Sequence, residues 1–142
     1  MSRSSCVPHL LAAFATLALV GIVAIIGISE PVSAQTQSKP AATVRMTNGL
    51  KFKPYKVTVK TGETVLWKNP SKLIHTVTFN PKFATEDESV RLPPGAEPFG
   101  SGFLKPDESF RHTFTTPGTY KYFCRPHESS DMYGKVVVEP AD

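Results

Sequence analysis

From Thr43 onward, apolar side chains recur at every second position. Tyr55, Val57 and Val59 alternate with Lys56, Thr58 and Lys60; Thr61 and Gly62 then turn the chain into Glu63 to Lys68, which carries Val65 and Trp67 on one face. Successive side chains of a strand point to opposite faces, so this period of two predicts half-buried strands. The pattern continues in His75 to Phe79, Ser109 to Thr115, Thr119 to Cys124 and Gly134 to Glu139, with Pro117 and Gly118 marking a turn. Short strands with no helical periodicity predict an all-β fold, a two-sheet antiparallel Greek-key sandwich. The stretch Asn80 to Pro106 departs from the pattern. It is rich in Pro and Gly and has an acidic cluster at Glu86, Asp87 and Glu88. A short helix or Ω-like loop is expected in its first part, and irregular chain from Leu92 to Gly102.

The amino terminus belongs to a different class of segment. Leu10 to Ile28 is apolar and uncharged, follows Arg3 and precedes Val32-Ser33-Ala34, the small-residue pattern of a signal-peptide cleavage site. The expected organisation is a signal peptide over 1–34, a flexible lead-in over 35–42 and one domain over 43–142, with the mature start at Gln35. An uncleaved membrane anchor is the alternative, because the run approaches the roughly 20 residues that span a bilayer. Either way the domain is exported. Cys6 leaves with the signal, which strands Cys124 without an internal disulfide partner. In an oxidising compartment that favours a metal-bound or otherwise committed thiol.

Charge adds little at this level. The formal net charge is +4, and loss of Arg3 and Glu30 with the signal leaves it unchanged. The lysines are scattered along the chain, with neither a run of like charge nor a basic helix, so nucleic-acid binding has little support.

Chemistry concentrates in Tyr122-Phe-Cys124-Arg-Pro-His127-Glu-Ser-Ser-Asp-Met132, a Cys-x2-His-x4-Met arrangement between two strand-like runs. A thiolate, an imidazole and a thioether on one short loop match a copper site of two histidines, one cysteine and a weak axial methionine. The second imidazole is assigned to His75, where a polar loop passes into a strand. Closed Cys/His tetrahedra suit zinc and oxygen ligands suit hard cations, so neither competes well for this donor set. The metal ligands read from the chain are therefore His75, Cys124, His127 and Met132, for one copper cycling between Cu(I) and Cu(II).

The run Tyr120 to Val138 resembles the copper loop of the plastocyanin family, a type 1 blue copper branch of the cupredoxins. Phe52 to Val59 with Thr61-Gly62-Glu63-Thr64-Val65 resembles the strand and turn of that family, and Asn69 to Phe79 resembles its first-histidine segment. Cys-x2-His-x4-Met followed by x-Gly-Lys separates this loop from those of amicyanin and azurin. The resemblance implies a single-electron carrier rather than an enzyme, with a cytochrome f type donor and a photosystem I type acceptor. It also implies a backbone N–H of Thr76 directed at the Cys124 sulfur, and a surface edge for His127 as the electron's exit. Two positions depart from the family: Thr76 stands where Asn is common, and Phe123 where Tyr is common.

The remaining residues have structural readings. His112 shares a face with Phe110 and Phe114, Met46 is expected in core or edge packing, and Trp67 is expected in the core. Partners are expected to be redox proteins with an acidic docking surface, met by a monomer that touches membranes only through partner complexes or an uncleaved anchor. The location is the thylakoid lumen or the periplasm. Other readings of the domain are an envelope protein that stores or delivers copper, a pseudoazurin-like respiratory donor, and a metal-free interaction module.

Overall fold

The computed structural model describes residues 39–142. The apolar run Leu10 to Ile28, the cleavage motif and the Gln35 start lie outside the described residues. No helix among those described is long and apolar enough to cross a membrane.

Among the described residues, nine strands form two sheets. The first has the order β2-β1-β4-β7, from β1 (Ala42–Met46), β2 (Phe52–Lys53), β4 (Thr64–Lys68) and β7 (Ser109–Thr113). The second has the order β3-β9-β8-β5-β6, from β3 (Lys56–Lys60), β9 (Tyr133–Glu139), β8 (Gly118–Phe123), β5 (His75–Phe79) and β6 (Phe99–Leu104). Alternation is clean where one face meets solvent: in β3, Val57 and Val59 are buried between exposed Lys56, Thr58 and Lys60. In β5 all five residues are buried, as expected of a strand covered on both faces.

Two sequence expectations need correction. The sandwich is mixed rather than antiparallel throughout, since β1 runs parallel to β4 and β3 runs parallel to β9. Period two reports which face a residue occupies and carries no information about a neighbour's direction. The second correction is β6, which occupies Phe99–Leu104 and so overlaps the end of the stretch, Leu92 to Gly102, expected to be irregular. Its glycines conceal it. A Cβ on Gly100 would sit 3.1 Å from the Val77 carbonyl oxygen, so the strand approaches β5 closely only without a side chain there, at an irregularity between Thr76 and Thr78. The first part of the stretch holds two short 3-10 turns, Pro81–Phe83 and Asp87–Ser89.

The core is organised around Trp67, whose ring lies 5.7 Å from Tyr122, 5.7 Å from Phe110 and 5.9 Å from Phe79, centroid to centroid. Its indole N–H donates to the Tyr122 hydroxyl at 3.0 Å, so the polar atoms of both buried rings are satisfied. Tyr122 in turn requires Gly134: any Cβ at that position would collide with the tyrosine ring. Met46 is fully buried, as expected. Phe123 points to the outer face of its sheet, opposite Tyr122, and is nevertheless fully buried.

His112 stacks on Phe99, with centroids 3.5 Å apart and planes 9° apart, and meets Phe114 edge-on. Burial holds its pKa below the ordinary value of 6.5. The folded protein therefore favours the neutral ring, while the unfolded chain takes up a proton near 6.5. Stability is at its full value above 6.5 and is lost as the pH falls from there through the lower folded value. Replacing His112 with Phe should flatten this part of the acid dependence, read as the urea midpoint of wild type minus variant at about pH 7 and about pH 5. An unchanged difference between the two pH values would remove His112 as its source.

Candidate metal centre

The site forms where two segments far apart in sequence reach the same end of the second sheet. Cys124 follows the last residue of β8, and β9 begins at Tyr133, so the loop carrying Cys124, His127 and Met132 is stretched between hydrogen-bonded neighbours. The Cys124 N–H donates to the Met132 carbonyl at 3.0 Å, and the Met132 N–H donates to the His127 carbonyl at 3.3 Å. These bonds close the loop into the short turn Arg125–Ser130, with Asp131 in the left-handed conformation at its end. His75 opens β5 in the same sheet.

The structure brings three of the four predicted residues together, and Met132 lies on the same loop as two of them. The donor atoms of His75, Cys124 and His127 all lie within 4.8 Å of one another. Both Nδ1 atoms face the sulfur, at 3.6 Å for His75 and 3.3 Å for His127. Met132 is fully buried, as are Cys124 and His75, and His127 alone of the four is partly exposed.

Hydrogen bookkeeping fixes the His75 ring. The Asn69 amide nitrogen donates to the carbonyls of Leu73, Leu104 and Lys105, at 2.8, 3.0 and 3.1 Å. That leaves its Oδ1 to accept the Ser71 hydroxyl at 2.6 Å. With its one proton spent there, the Ser71 oxygen meets His75 Nε2 at 3.0 Å as an acceptor. The proton of the neutral ring is thus on Nε2, and the Nδ1 lone pair faces Cys124.

Burial first, and then the neighbouring His127, hold the His75 pKa at about 4, against a hydrogen bond to the Thr47 backbone that acts in the opposite direction. Burial also lowers His127. Both imidazoles are neutral near pH 7, as a ligand must be. Burial raises the Cys124 thiol, while hydrogen bonds from Thr76 and the His127 backbone lower it by less. Such a sulfur ionises readily only beside a cation.

Around these four residues stands a set that sequence reasoning captured in part. The Thr76 N–H reaches the Cys124 sulfur at 3.3 Å, as anticipated. The Thr76 hydroxyl, where Asn was the family's usual choice, accepts the Arg125 N–H at 2.8 Å and so ties β5 to the ligand loop. Glu128 was missed. Its carboxylate is buried and accepts the Thr85 N–H with both oxygens, at 3.0 and 3.1 Å, and the Glu86 N–H at 3.2 Å. Burial pushes this carboxyl up, but the hydrogen bonds of Ser89, Thr85 and Glu86 outweigh it and hold the pKa below the ordinary range. The only sequence signal was an acid between two ligands, which reads equally well as a solvated turn.

The rim is apolar and basic. Leu73, Ile74, Phe83 and Phe103 are exposed, and the Arg125 guanidinium lies over Phe83 at 4.1 Å and within 5.6 Å of Phe103.

The donor set fits copper: soft sulfur from Cys and Met with two neutral imidazoles is the combination that selects it over harder divalent ions. Comparison with known proteins agrees. Residues 40–139 match the family of copper binding proteins described as plastocyanin/azurin. A plastocyanin from Scenedesmus fuscus is 39% identical over 94 residues, spanning 63% of this chain and 88% of the relative. An amicyanin from Paracoccus versutus is 34% identical over 110 residues, spanning 78% and 74% respectively. Among solved structures, an oxidised amicyanin mutant superposes with a TM-score of 0.55 at 31% identity, covering 75% of this chain and 88% of that one. With its fold, its donor cluster and nearly all of its described residues matched in this way, the chain belongs to the plastocyanin/azurin family of copper-binding proteins.

Proposed function

We propose that this protein is a mobile carrier of single electrons, and that His75, Cys124, His127 and Met132 hold its one copper ion. The observation that carries the reading is the pair of Nδ1 atoms converging on the Cys124 sulfur from two separate segments. Copper bound by this set supplies a one-electron couple. The chain's contribution is to keep the donors in one arrangement: the Asn69-Ser71 relay orients His75, the Thr76 N–H steadies the sulfur, and Glu128 pins the turn that carries His127 and Met132. A site that does not rearrange between oxidation states loses little energy when an electron passes.

The storage or delivery alternative fares worse on one point. Three of the four ligands are fully buried, whereas handing over a metal requires access by an incoming ligand. The partly exposed His127 instead gives a short route between the metal and the surface, surrounded by the apolar rim of Leu73, Ile74, Phe83 and Phe103. Such a rim suits brief docking, and the charges of Lys72, Lys82, Lys105 and Arg125 near it suit a redox partner with an acidic surface. In a photosynthetic source these partners would be a cytochrome f type donor and a photosystem I type acceptor. In a respiring one, a pseudoazurin-like or amicyanin-like role follows.

Export is part of the proposal, with cleavage after Ala34. The intact mass of protein from its native cell tests this, since a chain that retains 1–34 would identify an anchor.

Oxidised protein should carry an intense visible band arising from the Cys124 thiolate, and Cys124→Ser should abolish it. Retention of the band in that variant would overturn the ligand assignment. Glu128→Gln should keep the band but cost about 1–3 kcal/mol of stability, because a buried acceptor of backbone N–H groups is replaced by a weaker one. Copper should also leave the variant faster when a chelator is added. Unchanged unfolding and release would mean that the ligand turn does not depend on this carboxylate.

A further inference from the structure

Lys56, Arg91, Lys121 and Lys135 lie far apart in the sequence, but strand register places them in one row. Lys56 of β3 is the neighbour of Lys135 in β9, Lys135 is the neighbour of Lys121 in β8, and Lys121 is bridged to Arg91. The bridge is a pair of backbone hydrogen bonds, Arg91 N–H to the Lys121 carbonyl at 3.0 Å and the reverse at 2.9 Å. Residues directly opposite one another share a face. Here that face is the outer one, because Val57, Val136, Tyr120 and Tyr122, at the alternating positions, are buried in the core. At the spacing of neighbouring strands, four cations span about 14 Å.

This arrangement is costly. Like charges directly opposite each other destabilise a sheet, and among the described residues none of the four has a carboxylate within salt-bridge distance. Glu88 offers Lys121 only its backbone carbonyl, and the Lys121 ammonium rests over the Tyr133 ring at 4.7 Å. Edge protection accounts for Lys56 alone, since β3 is an edge strand but β9 and β8 are interior. The row is also distinct from the copper-end cations. It lies on the flank of the second sheet, three residues down β8 from Cys124.

We propose that this row is a docking surface for the acidic face of a protein redox partner, which it captures and orients while the apolar rim makes the close contact. The inference rests on the electron-carrier reading and adds to it where the partner's charge is felt. Charge complementarity selects an acidic occupant. A lipid surface is disfavoured, because the exposed large apolar side chains Leu73, Ile74, Phe83 and Phe103 stand at the copper end. Tyr55, next to Lys56 in the chain, is the one other such residue among those described. A membrane-surface element needs apolar anchors beside its cations.

The test uses the mature, copper-loaded protein, labelled for NMR and titrated with octaglutamate at low ionic strength. Amide shifts should map to Lys56, Arg91, Lys121 and Lys135, and weaken as salt rises. The double variant Lys56→Glu, Lys135→Glu should bind the peptide about tenfold more weakly with its visible copper band unaltered. The single variant Lys135→Glu, which turns two like-charge neighbours into opposite-charge ones, should melt no lower than wild type. Shifts confined to Lys72, Lys82, Lys105 and Arg125, or an affinity untouched by the double variant, would overturn the proposal. So would binding to phosphatidylglycerol-containing vesicles that the double variant abolishes, since the row would then be a lipid contact. A wild-type protein without the visible band would defeat the carrier reading and leave the peptide result to be judged by itself.

Discussion

A cysteine sulfur has to be kept from water while two imidazoles, delivered by different parts of the chain, reach it together; the architecture of the copper end follows from that demand. Cys124 is placed by the end of a core strand, where Tyr122 and Trp67 fill the space beneath it. His75 enters from the neighbouring strand, and the Thr76 amide meets the sulfur from the same direction. Neither histidine can be charged without loss, since burial lowers both. The pocket therefore disfavours a proton on either ring and leaves neutral nitrogen lone pairs available to a metal.

The candidate ligands could be read from the sequence because three of them are local: Cys124, His127 and Met132 sit on one loop whose spacing is itself the signal. His75 was found by chemistry and by the strand pattern around it. What the sequence concealed depended on direction, register and glycine. The parallel pairing of β3 with β9 leaves no trace in alternation, and β6 was hidden by Gly100, whose absent side chain lets it approach β5, and by Gly102, which takes a left-handed φ of 67°. Scattered lysines became a row for the same reason: cross-strand neighbours are set by pairing, and pairing is a property of the whole fold. Glu128 could be seen as an acid but not as an anchor, because its donors, the Thr85 and Glu86 amides, are backbone groups that carry no residue signature.

The long connection between β5 and β7 acquires a purpose from those same amides. It covers the outer face of β5, which explains why Thr76 and Thr78 are as buried as Val77 and Phe79, and it places Thr85 and Glu86 where they grip the ligand turn. The Tyr133 hydroxyl adds a bond to the Glu128 carbonyl at 3.2 Å. A segment that reads as irregular in sequence is thus a brace for the turn that carries two ligands.

The pairing of β3 with β9 also has a kinetic meaning. One of the earliest strands of the domain finds its neighbour only among the last residues of the chain, and the loop with Cys124, His127 and Met132 is closed by that same final strand. Contacts so distant in sequence form slowly and late. His75 therefore meets the loop donors in their native arrangement only after β8 and β9 have paired and joined β5 in one sheet. Assembly of the site is thereby tied to the docking of β9 between β3 and β8.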